Sequence, residues 1–253
     1  MIDWETYHAA IWRQRKGYLR PVQHVDPVAL DELVGINRQK QRLLDNTQRF
    51  VEGKPANNVL LWGARGTGKS SLIKAVFNAF KQQGLRLIEV DKTDLLSLPE
   101  IVDDVREQPF RFILYCDDLS FSDDETSYKA LKSVLEGSIE LPPDNVLVYA
   151  TSNRRHLVPE TMQDNVVSTH IQGEVHYADA IEEKISLSDR FGLRLSFYSI
   201  TQQDYLAIVD HYFENYAGDR DELHKAALQF AAERGARSGR VAKQFYRDFV
   251  QRD

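Results

Sequence analysis

The sequence predicts an α/β protein with a doubly wound parallel sheet, followed by a small helical domain at the C-terminal end. Short apolar runs of strand type alternate with segments of helical apolar spacing through most of the chain. The last fifty residues instead contain amphipathic helical segments with no strand between them. We therefore expect an N-terminal helix and linker (1–30), an α/β domain (31–199) and a small helical domain, here called the lid domain (200–253).

Length and composition are those of an ordinary globular protein. The chain has 253 residues, of which 42% are hydrophobic and 28% charged, enough for one large domain and a small satellite. The formal net charge of −6 gives no bulk attraction to nucleic acid or to an anionic membrane. The single cysteine, Cys116, excludes an internal disulfide, and no signal-like N-terminus or apolar run of membrane-spanning length is present. We expect a cytoplasmic protein with no membrane partner.

The N-terminal segment is predicted to be a helix and an extended linker. An aromatic stripe at helical spacing either packs against its own domain or docks on a partner. The stripe comprises Trp4, Tyr7, Ile11 and Trp12. Two prolines in the stretch 18–30 favour an extended connection to the next helix.

The remaining elements are predicted from apolar periodicity. Strands are expected at 58–62, 85–90, 110–116, 146–151 and 193–197. Helices of the α/β domain are expected at 38–51, at 71–80, within 91–107, and from a capping box at Ser122 and Glu125 to near Gly137. Helices of the lid domain are expected at 204–216, 221–234 and 238–250. Between 154 and 184 only 177–185 suggests a helix, and the rest is predicted to be irregular.

One loop of the α/β domain carries a phosphate-binding pattern, G-x-x-x-x-G-K-S, between a predicted strand and a predicted helix. Its glycines let backbone N–H groups turn towards a polyphosphate, and the helix N-terminus adds partial positive charge. Lys69 reaches the β- and γ-phosphates in such loops, and the Ser70 hydroxyl ligates Mg²⁺. The expected phosphate-binding residues are Gly63, Ala64, Arg65, Gly66, Thr67, Gly68, Lys69, Ser70 and Ser71.

Polar residues follow two later strands at the positions that ATP hydrolysis requires. Asp117 ends the strand 110–116, where a Walker B carboxylate holds Mg²⁺ through water, and Asp118 would polarise the attacking water. Many ATPases of this type have glutamate at the second position, so the rate of turnover stays open. Asn153 follows the strand 146–151 and could sense the γ-phosphate. These residues predict bound ATP with Mg²⁺.

Two arginines are candidates for coupling hydrolysis to the surroundings. Arg190, just before the last strand, could stabilise transition-state charge as an arginine finger. The alternative is a local ion pair with Asp189 or Glu183. Arg240 opens the last helix and is the candidate lid arginine, with Arg237 as the competing choice.

These strings resemble the AAA+ ATPase superfamily and, more closely, the bacterial DUF815 group of AAA+-type proteins. The residues that carry the resemblance are 56–70, 116–121, 150–157 and 186–192. It implies a P-loop NTPase core with a five-stranded parallel sheet, a helical lid and ATP between them. It also implies that Arg190 of one chain reaches a neighbour's nucleotide, and that Val34 and Gly35 line the adenine pocket.

The favoured function is an Mg²⁺-dependent ATPase that couples hydrolysis to conformational change, acts on an unknown protein client or assembly, and forms an ATP-dependent homo-oligomer. Two alternatives stay open: a slow nucleotide-gated scaffold or loader for protein or nucleic acid, and a small-molecule kinase. The kinase would need an acceptor pocket with its own polar groups. Because the chain is acidic, nucleic acid is the less favoured partner. The arginines that could touch it are Arg154, Arg155, Arg237 and Arg240.

Overall fold

The computed structural model describes residues 2–120, 125–137, 139–154, 157 and 187–250. Within these residues, seven strands form one sheet. The strands are β1 (Ala9–Arg13), β2 (Tyr18–Pro21), β3 (Val59–Gly63), β4 (Leu85–Val90), β5 (Arg111–Cys116), β6 (Val146–Ser152) and β7 (Leu193–Phe197). Their order across the sheet is β2-β1-β4-β5-β6-β3-β7, and each described pair of neighbours is parallel except β1 and β2.

Helices cover both faces of the sheet and form the C-terminal lid. The α-helices of the described segments are α1 (Asn37–Val51), α2 (Lys69–Phe80), α3 (Leu98–Val105), α4 (Glu125–Glu136), α5 (Gln202–Tyr212), α6 (Arg220–Glu233) and α7 (Gly239–Val250). Within the described residues, none of the helices combines the length and the apolar character needed to cross a bilayer.

The sheet has seven strands, and the expected number of five was wrong. The five expected strands are present as the parallel run β4-β5-β6-β3-β7. Of the other two strands, β1 comes from the segment that the helical spacing of its aromatic residues predicted to be a helix, and β2 comes from the start of the stretch predicted to be an extended linker. The backbone of β1 instead pairs with the edge of β4, where the Leu87 amide donates to the His8 carbonyl at 3.0 Å.

Strand geometry also explains the burial of the N-terminal aromatic residues. Ala10 and Trp12 alternate along β1 and face the same core layer, as the two-residue period of a strand requires. Trp4 packs edge-on against Phe112, with ring centroids 5.0 Å apart. The aromatic residues Trp4 and Trp12 are therefore buried in their own domain.

Two apolar layers enclose the sheet, and a third cluster forms the lid. Successive side chains of β3 lie in opposite layers: Leu60 faces α3 and α4, whereas Val59 and Leu61 face α1 and α2. The lid helices α5, α6 and α7 pack around their own cluster, which includes Tyr205 and Phe245. This arrangement fits a doubly wound domain followed by a small helical unit.

Most predicted boundaries lie within a few residues of the observed ones, and the strands at 85–90 and 193–197 are confirmed. The first lid helix starts two residues earlier than predicted because Thr201 and Asp204 form a reciprocal capping box. It also ends four residues earlier, at Tyr212. The capping residue Ser122, the predicted helix at 177–185 and most of the predicted irregular segment lie outside the described residues.

Candidate phosphate-binding site

A cavity of about 870 Å³ opens between the carboxyl ends of the central strands and the lid. Carboxyl ends of parallel strands at a change of strand order are the usual ligand site of doubly wound sheets. Most of the predicted site residues line this cavity. They are Val34, Gly35, Arg65, Gly66, Thr67, Gly68, Lys69, Ser70, Ser71, Asp117, Asp118, Asn153 and Arg240. The described lining does not include Gly63, Ala64 or Arg190.

The phosphate loop joins β3 to α2 and requires glycine at its start. Gly63 has a φ of +130°, and a Cβ there would lie 1.9 Å from the Phe197 carbonyl oxygen. The Ala64 amide donates to that same carbonyl at 3.0 Å, which ties the loop to β7. No described side chain caps the first turn of α2. Its first N–H groups are therefore available to an anion at the helix N-terminus.

The Lys69 ammonium lies inside the bend of the loop and is largely buried. It donates to the carbonyl oxygens of Gly63 at 2.8 Å and Ala64 at 2.7 Å, and to Asn153 Oδ1 at 3.2 Å. Burial lowers the pKa of Lys69, and the charges of Asp117 and Asp118 oppose that shift. All three N–H donors have acceptors, so a phosphate oxygen would replace one of them.

The Asp117 carboxylate collects hydrogen bonds from two neighbouring elements. Ser70 Oγ donates to Asp117 Oδ1 at 2.8 Å, and Thr151 Oγ1 donates to the same oxygen at 2.6 Å. Burial on its own raises the pKa of Asp117, but the hydrogen bonds from Thr151 and Ser70, together with the nearby Tyr115 hydroxyl, outweigh it and lower the pKa overall. The carboxylate therefore stays ionised beside a serine hydroxyl, an all-oxygen donor set of the kind that Mg²⁺ prefers.

Asp118 is held in an uncommon backbone conformation at the end of β5. Its φ is +50°, in the left-handed region that aspartate tolerates better than most residues. The Asp118 amide donates to Thr151 Oγ1 at 2.9 Å, and the Asn153 side-chain amide donates to the Asp118 carboxylate. Both contacts come from the end of β6, so that strand fixes the direction of the Asp118 side chain.

Arg190 is partly buried, lies outside the described cavity lining and is paired within its own chain. Its Nε donates to Glu136, at the C-terminal end of α4. Of the two residues named as alternative local partners, Asp189 pairs with Arg194. The other, Glu183, lies outside the described residues.

The lid meets the phosphate loop at the start of α7. Ser238 Oγ accepts the Val241 amide at 3.2 Å and so caps this helix, and the Gly239 amide donates to the Gly66 carbonyl at 3.2 Å. Arg240, in the first turn of α7, lines the cavity, whereas Arg237 is outside the described lining.

Val34 and Gly35 lie on the lid side of the same cavity. Val34 packs against the apolar cluster of the lid. Gly35 has a φ of +82°, and a Cβ there would meet Asp204 Oδ1 at 3.7 Å.

Sequence reasoning considered Thr151 only as part of the polar run 151–153 that could lie beside the γ-phosphate, and it gave no role to Tyr115. The register between β5 and β6 would have indicated the contact between Thr151 and Asp117. Ala150 pairs with Cys116, so the residues that follow them, Thr151 and Asp117, are level with each other. Tyr115 is the second-last residue of β5 and precedes Asp117 by two positions. Within the described part of the chain, no group of three or more histidine, cysteine or acidic residues could hold a metal ion.

Comparisons with known proteins give a family and a fold. The family model described as "Protein of unknown function (DUF815)" matches residues 5–253. No curated protein matches. Among solved structures, the chain is similar to Aeropyrum pernix ORC1, solved in complex with DNA, with a TM-score of 0.59 and 16% identity over 83% of this chain and 58% of that one. At this identity the likeness shows the fold alone.

A second solved structure has a lower score. The chain is similar to Thermotoga maritima RuvB, a Holliday junction branch migration motor, with a TM-score of 0.48 and 14% identity over 87% of this chain and 72% of that one. That score is too low to carry an argument.

Proposed function

The chain belongs to the DUF815 family and has the fold of the AAA+ superfamily, and on this premise we propose that it binds ATP with Mg²⁺ and hydrolyses it slowly. One observation carries the proposal. The Ser70 hydroxyl of the phosphate loop is bonded to the Asp117 carboxylate at 2.8 Å, inside the cavity that Lys69 and Asn153 also line. A phosphate-binding loop joined in this way to a strand-end carboxylate is the arrangement that triphosphate hydrolysis needs.

Binding would be shared between the loop and the lid. The Lys69 ammonium and the N-terminal amides of α2 would donate to phosphate oxygens, and Arg240 would add a positive charge from the lid side. Ser70 and Asp117 would hold Mg²⁺, which when bound neutralises charge on the β- and γ-phosphates. Val34 and Gly35 would face the adenine, because they line the part of the cavity next to the lid.

Hydrolysis would depend on Asp118 and Asn153. Asp118 would orient the attacking water and accept its proton, a role worth about 10²- to 10⁴-fold in rate. Asn153 contacts both the Lys69 ammonium and the Asp118 carboxylate, so it would respond to the γ-phosphate. Aspartate is one methylene shorter than the usual glutamate, and for that reason we expect slow turnover.

The output would be motion of the lid relative to the sheet. Gly66 of the phosphate loop lies so close to the lid that a Cβ there would meet the Ser238 Cβ at 2.7 Å. ATP and ADP would contact the lid differently and so shift its position. We propose that this motion acts on a protein client, within an ATP-dependent homo-oligomer in which Arg190 of one chain reaches a neighbour's nucleotide. The position of Arg190 outside the described lining of its own cavity supports that arrangement.

The test is phosphate release from ATP in magnesium buffer without any added acceptor, by the natural chain and by Asp118→Asn. An ATPase predicts release that falls about 10²-fold or more in the variant while ATP binding is kept. Binding without release, or a slow rate that the substitution leaves unchanged, would favour the nucleotide-gated scaffold. ADP formation that requires an added small-molecule acceptor, with the phosphoryl group transferred to that acceptor and not released as free phosphate, would favour the kinase.

A further inference from the structure

Tyr115 is a buried tyrosine next to the proposed cation site. It lies on β5 two residues before Asp117, and side chains at this spacing project from the same face of a sheet. The side chain is 2% exposed, and its ring belongs to the apolar layer that packs under α1 and α2. The hydroxyl is buried and makes no well-aligned hydrogen bond within the described part of the chain.

The Tyr115 hydroxyl faces the two groups proposed to hold Mg²⁺. Burial raises the pKa of the phenol, and the negative charge of Asp117 raises it further. The phenol in turn acts with Thr151 and Ser70 to lower the pKa of Asp117. An O–H donor therefore lies beside an ionised acceptor without an aligned bond to it.

Packing does not account for a tyrosine at this position. Phenylalanine would fill the same apolar space without burying a hydroxyl that lacks an aligned partner, which is unfavourable. Tyr149, directly opposite on β6, provides the contrast. Its hydroxyl is bonded to Asn46 at 3.1 Å and to Thr47 at 2.8 Å, so it ties α1 to the sheet.

We propose that Tyr115 is a positioning residue of the magnesium site, whose hydroxyl donates to Asp117 when Ser70 turns its oxygen towards the cation. In the structure the Ser70 hydroxyl is directed at the Asp117 carboxylate. As Ser70 shifts towards a metal, Asp117 needs another donor to keep its orientation, and the phenol is the adjacent one. The inference rests on the proposed function, because it concerns the same cation.

The experiment is to measure ATP affinity by calorimetry over a series of Mg²⁺ concentrations and in EDTA, for the natural chain, Tyr115→Phe and Tyr149→Phe. Tyr115→Phe should raise the Mg²⁺ concentration that gives half of the maximal increase in ATP affinity about three- to tenfold. A change of this size corresponds to the free energy of one hydrogen bond. Its affinity in EDTA should match that of the natural chain, and its unfolding temperature without ligand should be equal or higher, because the variant no longer buries a hydroxyl that lacks an aligned partner. Tyr149→Phe should lower the unfolding temperature and leave the magnesium dependence unchanged.

The experiment distinguishes a wrong proposed function from a wrong role of Tyr115. If ATP binding by the natural chain does not depend on Mg²⁺, both the proposed function and the role of Tyr115 are wrong. If the natural chain responds to Mg²⁺ and Tyr115→Phe responds identically, only the role of Tyr115 is wrong. A lower unfolding temperature in Tyr115→Phe with unchanged magnesium dependence would likewise assign the hydroxyl to stability alone and overturn the inference.

Discussion

The Lys69 ammonium donates to Asn153 Oδ1 at 3.2 Å, and the side-chain amide of Asn153 donates in turn to Asp118. Asn153 directly follows strand β6, which lies between β3 and β5 in the sheet. These two hydrogen bonds connect Lys69, which is expected to contact phosphate, with Asp118, which is expected to contact the attacking water. A phosphate that draws Lys69 away from Asn153 would therefore also change the surroundings of the Asp118 carboxylate.

Replacing Lys69 tests phosphate binding. Lys69→Ala should weaken ATP binding about 10- to 100-fold in calorimetry, because it removes a charge-assisted hydrogen bond to phosphate. Lys74→Ala is the matched control, since this lysine of α2 pairs with Asp26 outside the described cavity lining. Equal losses in the two variants would contradict a specific phosphate contact.

Different ATP affinities are predicted for substitutions of the two lid arginines, Arg240 and Arg237. Arg240 lines the cavity and Arg237 does not, so Arg240→Ala should weaken ATP binding about tenfold while Arg237→Ala leaves it unchanged. Fluorescent ATP-analogue titrations of both variants measure the difference. A loss confined to Arg237→Ala would show that the lid contact had been assigned to the wrong arginine.

Arg190 should act on a neighbouring chain. Arg190→Ala should bind ATP normally but hydrolyse it about 10³-fold more slowly, as expected on removing an arginine finger. Mixing Arg190→Ala with Lys69→Ala should restore part of the phosphate release, because each chain supplies what the other lacks. Arg194→Ala, whose arginine pairs with Asp189, should hydrolyse ATP normally.

Two results would remove the intersubunit role of Arg190. One is a loss of ATP binding in Arg190→Ala equal to that in Lys69→Ala. The other is a mixture that is no more active than its two components measured apart.

The single cysteine should report on the integrity of the sheet. Burial raises the pKa of the Cys116 thiol to about 12, and the charges of Asp117 and Asp91 add to the effect. Only about one thiol in 10⁴ would be ionised at pH 8, and the thiolate is the reactive form. Ellman's reagent at pH 8 should therefore label the folded chain very slowly and the unfolded chain rapidly. Fast labelling of the folded chain would contradict the burial of β5.

The parts of the fold that depend on local pattern were predictable from the sequence. The apolar run of β5 and the helix after the phosphate loop were identified because their periodicity and length agree with a single structure. The strand formed by residues 9–13 was not predictable from local pattern. Their aromatic residues fit a helical spacing, and the deciding factor was the free edge of β4, a tertiary feature that single-sequence periodicity does not contain.

The residues of the candidate site were likewise predictable only in part. The phosphate loop and the strand-end residues Asp117 and Asn153 could be identified because each follows a recognisable strand. The contact of Thr151 with Asp117 was not predicted, because it depends on the register between β5 and β6. The pairing of Arg190 with Glu136 joins residues 54 positions apart, and sequence proximity had suggested a nearer partner.

The most direct test of the central claim is calorimetric titration of the folded natural chain with ATP in magnesium buffer, repeated with Lys69→Ala. We predict saturable binding of one ATP per chain by the natural protein and binding at least tenfold weaker by the variant. If the natural chain gives no binding heat at several temperatures while labelling of Cys116 shows that it is folded, the cavity is not a nucleotide site and the account is wrong.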